Sequence, residues 1–183
     1  ETDRPLFCGI CGLCRDQRGK IIGDPFPESP LDVDSREIVF RYRLHGDKWG
    51  VERIDLLRRY PFPEIAGTNY VPEGLVGLQM AKAYKHRHVN EVFGLVHVND
   101  GKSGAHLSSR RNIARGAPGR LYYNLWLLNN ELGYFWLSPA PFIRAAAMLP
   151  VVGHYAGRQL REVWQGLANW RAKMLLAAVI PLS

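Results

Sequence analysis

All three cysteines of this 183-residue chain lie within seven residues, in the order Cys8-Gly9-Ile10-Cys11-Gly12-Leu13-Cys14. Two Cys-x-x-Cys steps that share the middle cysteine can present several thiolates to one soft cation. The intervening glycines would let the backbone turn tightly around such an ion. This spacing predicts a metal-binding knuckle that fixes the N-terminal segment.

A structural zinc site uses four protein ligands, and the sequence holds no fourth cysteine. A histidine, an acidic residue or a residue of a partner must therefore complete the site if zinc is bound. His45 is the nearest histidine in sequence and stands beside Gly46 in a predicted turn, whereas His86 and His88 form a compact pair farther on. The favoured zinc ligands are the three cysteines and one histidine: Cys8, Cys11, Cys14 and His45.

Other uses of the cysteines stay open. An iron–sulfur cluster normally needs four cysteines, and a disulfide between two of the three would leave one odd thiol. A redox pair of Cys11 and Cys14 has the right spacing, but no helix-starting pattern follows that would lower a thiol pKa. Cysteines without any ligand role are the remaining alternative.

The net charge of +7 is unevenly distributed along the chain. Residues 1–84 hold 12 Lys/Arg and 13 Asp/Glu, whereas residues 85–183 hold 12 Lys/Arg and only 4 Asp/Glu. Residues 101–120, here called the basic loop, combine glycines with five cations and contain no acid. The cations of the basic loop are Lys102, Arg110, Arg111, Arg115 and Arg120.

The basic loop predicts phosphate binding, because arginine side chains match phosphate oxygens in pairs and glycines permit close approach of the backbone. Tyr122 follows the loop and could stack on an exposed base, or belong to the core of a strand. Lys85 and Arg87 would add phosphate contacts, or complement the dipole at the end of a helix. The predicted nucleic-acid-binding residues are thus Lys85, Arg87, Lys102, Arg110, Arg111, Arg115, Arg120 and Tyr122.

The first half of the chain contains a proline-rich stretch and several alternating segments. Prolines at positions 25, 27 and 30 predict a linker, so residues 1–30 form a cysteine-rich module and residues 31–183 a basic main domain. Alternation predicts a strand over 36–44, then a turn, then a second strand or short helix to residue 59. A helix is expected from Pro72 to about His88, and a strand over 91–98.

The second half of the chain is expected to be mainly helical towards its end. Residues 121–128 and 134–137 favour a β-hairpin, with a helix ending at Gly133 as the competing interpretation. Alanines favour a short helix over 142–149 that Pro150 ends, and helical spacing predicts one long helix over about 154–178. These patterns together predict an α+β fold with a small, mostly antiparallel sheet, C-terminal helices and the N-terminal cysteine-rich metal knuckle.

No catalytic motif stands out in the sequence. It contains no phosphate-binding loop, no Gly-x-Ser-x-Gly and no run of eighteen uncharged apolar residues that would span a bilayer. A metal-independent nuclease would use His97 or His106 as the base and Lys102 to offset developing negative charge. The sequence therefore favours binding over catalysis.

We expect a non-enzymatic nucleic-acid-binding subunit of a ribonucleoprotein assembly, such as a ribosomal or RNA-guided effector particle, with RNA favoured over DNA. The main alternative is an accessory structural subunit of a multiprotein complex, organellar and membrane-associated, whose charge faces an acidic protein or anionic lipid. The expected location is the cytoplasm. The alternative location is the mitochondrial matrix after removal of a targeting peptide, since the sequence starts at Glu1 rather than at a methionine.

Overall fold

A computed structural model describes residues 6–68, 70–97 and 113–180. The chain divides into two compact units. Unit 1 comprises residues 1–61 and 76–103, and unit 2 comprises residues 62–75 and 104–183. The predicted boundary after residue 30 falls within unit 1, because strands from both sides of that position pair in one sheet.

Unit 1 is built on a four-stranded sheet with the strand order β2-β4-β1-β3. The strands are β1 (Phe7–Asp16), β2 (Leu31–Val33), β3 (Lys48–Glu52) and β4 (Lys85–Val96). β1 runs parallel to β4 and antiparallel to β3, while β2 runs antiparallel to β4. The predicted α+β class is confirmed, and the sheet is mixed because its central pair, β1 and β4, is parallel.

One face of this sheet carries the core of unit 1. His86 and His88 stand opposite Val33 and Leu31 across the β2–β4 pair, so these four side chains share a face. Helices α1 (Ile54–Arg59) and α2 (Gly74–Met80) supply further apolar side chains. The buried residues form two clusters, one of Cys8, Leu56, Val76 and Met80 and one of Leu13, Phe26, Leu31 and Val33.

The strand predicted over 36–44 is wrong, since a π-helix (Glu37–Tyr42) occupies that segment. The carboxylate of Asp34 accepts hydrogen bonds from the backbone N–H groups of Arg36 and Glu37 at 2.8 and 3.2 Å, and this starts a helical turn. Arg43 ends the turn in the left-handed conformation with a φ of 54°. Local capping therefore overrides the alternating pattern.

The helix predicted from Pro72 to His88 is wrong beyond Met80, where α2 ends. The N–H of Lys85 instead donates to the carbonyl of Leu6 at 2.7 Å, and β4 then pairs with β1 and β2. These long-range sheet bonds replace helical ones. The strand predicted over 91–98 is confirmed to residue 96 as the second half of β4, and residue 98 lies outside the described residues.

Unit 2 is helical over residues 113–180, in the part of the chain that the structure describes there. Its helices are α3 (Ala117–Asn130), α4 (Pro139–Tyr155), α5 (Leu160–Gln165) and α6 (Trp170–Val179). The predicted hairpin over 121–137 is wrong, because α3 covers its first arm. Pro118 suits the first turn of α3, and the buried residues Ala117, Leu121 and Leu128 recur at helical spacing.

The boundaries of helices α4 to α6 differ from the predicted ones at Pro150 and at two interruptions, one between α4 and α5 and one between α5 and α6. Pro150 lies inside α4 and does not end it, because buried residues on both sides, such as Leu149 and Val152, hold the helix in the core. The single helix predicted over 154–178 is wrong. Gly157, with a φ of 70°, precedes α5, and the side chain of Asn169 caps α6 by accepting from the N–H of Arg171 at 2.9 Å.

Gly119 of α3 lies directly against the backbone of Tyr70, and a Cβ added to it would overlap the carbonyl oxygen of Tyr70. We expect Gly119→Ala to lower the free energy of unfolding by about 2 kcal/mol or more, measured by urea denaturation of the full chain. This loss exceeds the roughly 1 kcal/mol that alanine usually adds within a helix.

The matched control for this substitution is Gly133→Ala, because a Cβ at Gly133 would meet nothing within 4 Å. We expect Gly133→Ala to change the free energy of unfolding by less than about 0.5 kcal/mol. Equal stability of the Gly119→Ala protein and the wild-type protein would contradict the close packing of α3 on Tyr70.

Candidate metal centre

Three residues from adjacent strands form a group that could hold a metal ion. The ligand atoms of Cys8, Glu52 and His86 all lie within 4.8 Å of one another. Gly9 on β1 pairs with Glu52 on β3 and with His86 on β4, so the order β3-β1-β4 brings the three side chains together. The group depends on the fold, since its members are far apart in sequence.

His86 is the centre of this group. Its Nε2 lies 2.7 Å from Oε1 of Glu52, and its Nδ1 lies 3.3 Å from Sγ of Cys8 and 3.4 Å from Oγ of Ser35. Burial lowers the pKa of His86, but the hydrogen bonds to Cys8 and Glu52 outweigh burial and raise the pKa to about 9. A cation bound at this ring must displace a proton, so metal affinity falls as the pH falls.

The donor atoms suit zinc. Cys8 offers a soft sulfur, His86 a nitrogen and Glu52 an oxygen, and each of these donors is common in zinc sites. Cys8 is 0% exposed and His86 is 5% exposed, while 29% of the Glu52 side chain is exposed. The carboxylate of Glu52 can therefore bind the ion itself or hold the imidazole ring in the orientation that binds it.

His88 lies next to this group and has an unusual environment. It is buried, and among the described residues its ring nitrogens make no hydrogen bond of good geometry, although the backbone of Val33 lies close enough to favour the protonated ring. Its ring centroid lies 5.8 Å from that of His86 and 4.8 Å from that of Phe26. Burial, and next the charge of His86, lower the pKa of His88 to about 4, so its imidazole is neutral at pH 7. A neutral imidazole can bind a metal.

A thiol, an imidazole and a carboxylate in a row also form the usual order of nucleophile, base and orienting acid in enzymes. Cys8, His86 and Glu52 have this order, but the thiol of Cys8 has no exposed surface for a substrate to reach. The burial of Cys8 therefore favours metal binding over nucleophilic catalysis at this group.

The predicted metal knuckle is not confirmed. Its three cysteines lie in β1, an extended strand that does not wrap around an ion. Gly12 does not provide a turn either, because a Cβ there would lie 2.6 Å from Cγ of Phe93. The glycine in fact permits close packing within unit 1.

The structure does not bring the other predicted ligands to Cys8 in the part of the chain it describes. Burial, and next the charge of Glu52, raise the pKa of Cys11 to about 11, and burial raises the pKa of Cys14. Both thiols are therefore protonated at neutral pH. The His45 side chain is 84% exposed, and its Nδ1 lies 3.3 Å from the carboxylate of Asp24.

Two predicted nucleic-acid-binding residues of unit 1, Lys85 and Arg87, lie on β4. Lys85 and Arg87 are exposed and alternate with the buried His86 and His88. The guanidinium of Arg87 makes two hydrogen bonds to the carboxylate of Asp32, at 2.8 and 2.7 Å. Arg87 is thus already paired with an acid inside unit 1.

Three other predicted nucleic-acid-binding residues, Arg115, Arg120 and Tyr122, belong to unit 2. Arg115 is exposed, Tyr122 is 41% exposed, and the guanidinium of Arg120 lies 4.7 Å from the ring centroid of Tyr70. Several members of the basic loop and the nuclease alternative lie outside the described residues, namely Lys102, His106, Arg110 and Arg111.

Glu52 and His86 were not among the ligands predicted from the sequence. The pattern Lys85-His86-Arg87-His88 carries a signal for the histidine, because charged and uncharged side chains alternate with the period of a strand. That pattern places both histidines on one face, away from the cations. Glu52 has no local signal, since only the pairing of β3 with β1 brings it close.

Comparisons with protein families, curated proteins and solved structures find no significant match to this chain. Among the described residues, no helix has the length and apolar character needed to span a bilayer.

Proposed function

We propose that this protein is a zinc-containing, non-enzymatic nucleic-acid-binding subunit of a ribonucleoprotein assembly, such as a ribosomal or RNA-guided effector particle, with RNA favoured over DNA. The observation that carries this proposal is the excess of positive charge in the second half of the chain. Polyanions with regularly spaced phosphates are the partners that such charge favours.

The positive charge of residues 113–180 is not neutralised by acids of the same segment. The segment holds seven cations and two acids, Glu131 and Glu162. Glu131 is buried, and Glu162 accepts a hydrogen bond from Arg158 at 3.0 Å. The cations of the segment are Arg115, Arg120, Arg144, Arg158, Arg161, Arg171 and Lys173.

Zinc has a structural role in this proposal. A metal held by Cys8, Glu52 and His86 joins strands β1, β3 and β4 near one end of the sheet. Structural zinc needs four ligands, and the buried His88, whose ring centroid lies 5.8 Å from that of His86, is the fourth ligand we propose. Because two of the three group members are buried, the ion holds the fold together and meets no substrate.

The experiment that tests the main proposal is binding of a single-stranded RNA pool by the purified full chain at increasing salt. We expect the logarithm of the affinity to fall linearly with the logarithm of the salt concentration, because each neutralised phosphate releases counterions. The affinity for a single-stranded DNA pool of the same sequences, measured in parallel, shows whether RNA is preferred. No salt-sensitive binding to either polymer would refute the proposal.

A second candidate function, an accessory subunit at an anionic membrane surface, is favoured by an apolar groove of about 540 Å³ in unit 2. Trp136 is 89% exposed and Trp170 is 68% exposed, and both line this groove together with Met174. The guanidinium of Arg171 lies 5.6 Å from the Trp170 ring centroid. Tryptophan prefers the headgroup region of bilayers, and arginine prefers anionic headgroups.

We expect the double substitution Trp136→Ala, Trp170→Ala to reduce cosedimentation with phosphatidylserine-containing vesicles at least roughly tenfold, because both indoles lose their contact with the headgroup region. The matched control is Trp49→Ala, which removes an indole that is 59% exposed in unit 1, outside the groove. This control should bind vesicles as the wild-type protein does. Equal sedimentation with and without vesicles for the wild-type protein would refute the membrane function.

A further inference from the structure

A second cavity in unit 2 has a different chemistry from the apolar groove. It has a volume of about 310 Å³ and lies between Tyr70, helix α3 and helix α4. We call it the arginine pocket. Its polar lining consists of two arginines, two tyrosines and one asparagine: Arg120, Arg144, Tyr70, Tyr123 and Asn124. The lining residues within the described part of the chain include no Asp or Glu.

The wall formed by Tyr70 is held firmly against the start of α3. Oγ1 of Thr68 lies 3.2 Å from the carbonyl oxygens of both Tyr70 and Arg115, and the N–H of Tyr70 donates to the same Oγ1 at 3.1 Å. Gly119 allows the backbone of α3 to approach Tyr70. A pocket with such a wall exists before a ligand arrives, which lowers the entropic cost of binding.

The polar groups of the arginine pocket are suited to an anion. The guanidinium groups of Arg120 and Arg144 can bind phosphate oxygens in pairs. Burial, and next the neighbouring Tyr70, raise the pKa of Tyr123, so its phenol keeps its proton and can donate it in a hydrogen bond.

The remaining lining of the arginine pocket is apolar. Leu127, Met148 and Val152 from α3 and α4 form one part of this wall, and Pro72 and Pro141 form another. Such a wall favours a base or a sugar over water. The volume is at the low end for small-molecule pockets, so it fits one nucleotide rather than several.

We propose that the arginine pocket binds a nucleoside 5′-monophosphate, either as a free nucleotide or as the phosphorylated 5′ end of an RNA strand. Arg120 and Arg144 bind the phosphate, and the apolar wall contacts the base and ribose. The strand-end form rests on the proposed RNA-binding function, whereas the free-nucleotide form does not.

The test compares two ten-nucleotide RNAs of one sequence, with a 5′-phosphate or a 5′-hydroxyl, and uses UMP, uridine and inorganic phosphate as free probes. We expect the wild-type full chain to bind the phosphorylated RNA at least tenfold more tightly, and UMP to compete better than uridine or phosphate. Arg144→Gln should abolish the preference for the phosphorylated end. Arg161→Gln, which removes an exposed arginine outside the pocket, should keep it.

The outcomes separate this inference from the proposed function. Equal affinity for both RNAs, with salt-sensitive binding and no binding of UMP, overturns the arginine pocket and leaves RNA binding intact. Binding of UMP without RNA binding overturns the proposed function and supports the free-nucleotide form. Competition by inorganic phosphate equal to that by UMP overturns the nucleoside part of the inference. A 5′-phosphate preference that persists in Arg144→Gln overturns the assignment of the phosphate to the arginine pocket.

Discussion

The His86→Ala protein should contain less than about a tenth of an equivalent of zinc, whereas the wild-type protein purified without chelators should contain about one equivalent. His86 contacts both Cys8 and Glu52, so its loss removes one ligand and the hydrogen-bond partner of the other two. The substitution also removes a buried imidazole ring and leaves a cavity beside Cys8, which lowers stability. We therefore expect a lower zinc content by mass spectrometry and a lower unfolding temperature.

The controls for this experiment are His45→Ala and Cys11→Ser, which alter two ligands that only the sequence suggested. Neither residue belongs to the group around His86, so both variants should keep their zinc. Loss of zinc in these two variants, with retention in His86→Ala, would contradict the metal centre and support the cysteine knuckle. His88→Phe tests the fourth ligand separately, because phenylalanine fills the buried space without a nitrogen.

The triple substitution Arg110→Ala, Arg111→Ala, Arg115→Ala should weaken RNA binding by roughly tenfold or more at low salt. If each arginine neutralises one phosphate, the slope of log affinity against log salt should decrease by about 2, since single strands release about 0.7 counterion for each phosphate. Filter binding at four or more salt concentrations measures both quantities.

The matched control removes the same charge from exposed arginines of unit 1, with Arg18, Arg58 and Arg59 each changed to Ala. Both triple variants remove three positive charges. If only the net charge mattered, the two variants would therefore lose the same affinity for RNA. We expect the control to keep most of the affinity and the salt slope of the wild-type protein. Equal losses in the two variants would contradict binding through the basic loop.

The fold class and several elements could be predicted from sequence, because their signals are local. The second half of β4 alternates over enough residues to be recognised, and alanines favour a helix in the region after residue 139. The π-helix at 37–42 could not be predicted from alternation, since the Asp34 side chain determines it. The first strand of the predicted hairpin is also wrong. The preference of aromatic residues for strands depends on their packing context, and here Leu121 and Leu128 are buried on one helix.

The candidate site shows where sequence information ends. The spacing of the cysteines predicts Cys8 as a metal ligand, but Cys11 and Cys14 do not join Cys8 because β1 is extended. Glu52 and His86 lie 44 and 78 residues from Cys8 in the chain, and only strand pairing places them beside it. A register between strands cannot be read from a single sequence, so this part of the site required the structure.

The chain passes between its two units three times, after residues 61, 75 and 103. On a ribosome, β1 emerges long before β4, its parallel neighbour, so the sheet cannot close until about a hundred residues have left the exit tunnel. No single cut separates the units either. A recombinant fragment that begins at residue 104 lacks residues 62–75 and with them the Tyr70 wall of the arginine pocket, so it exposes the surface of α3 around Gly119.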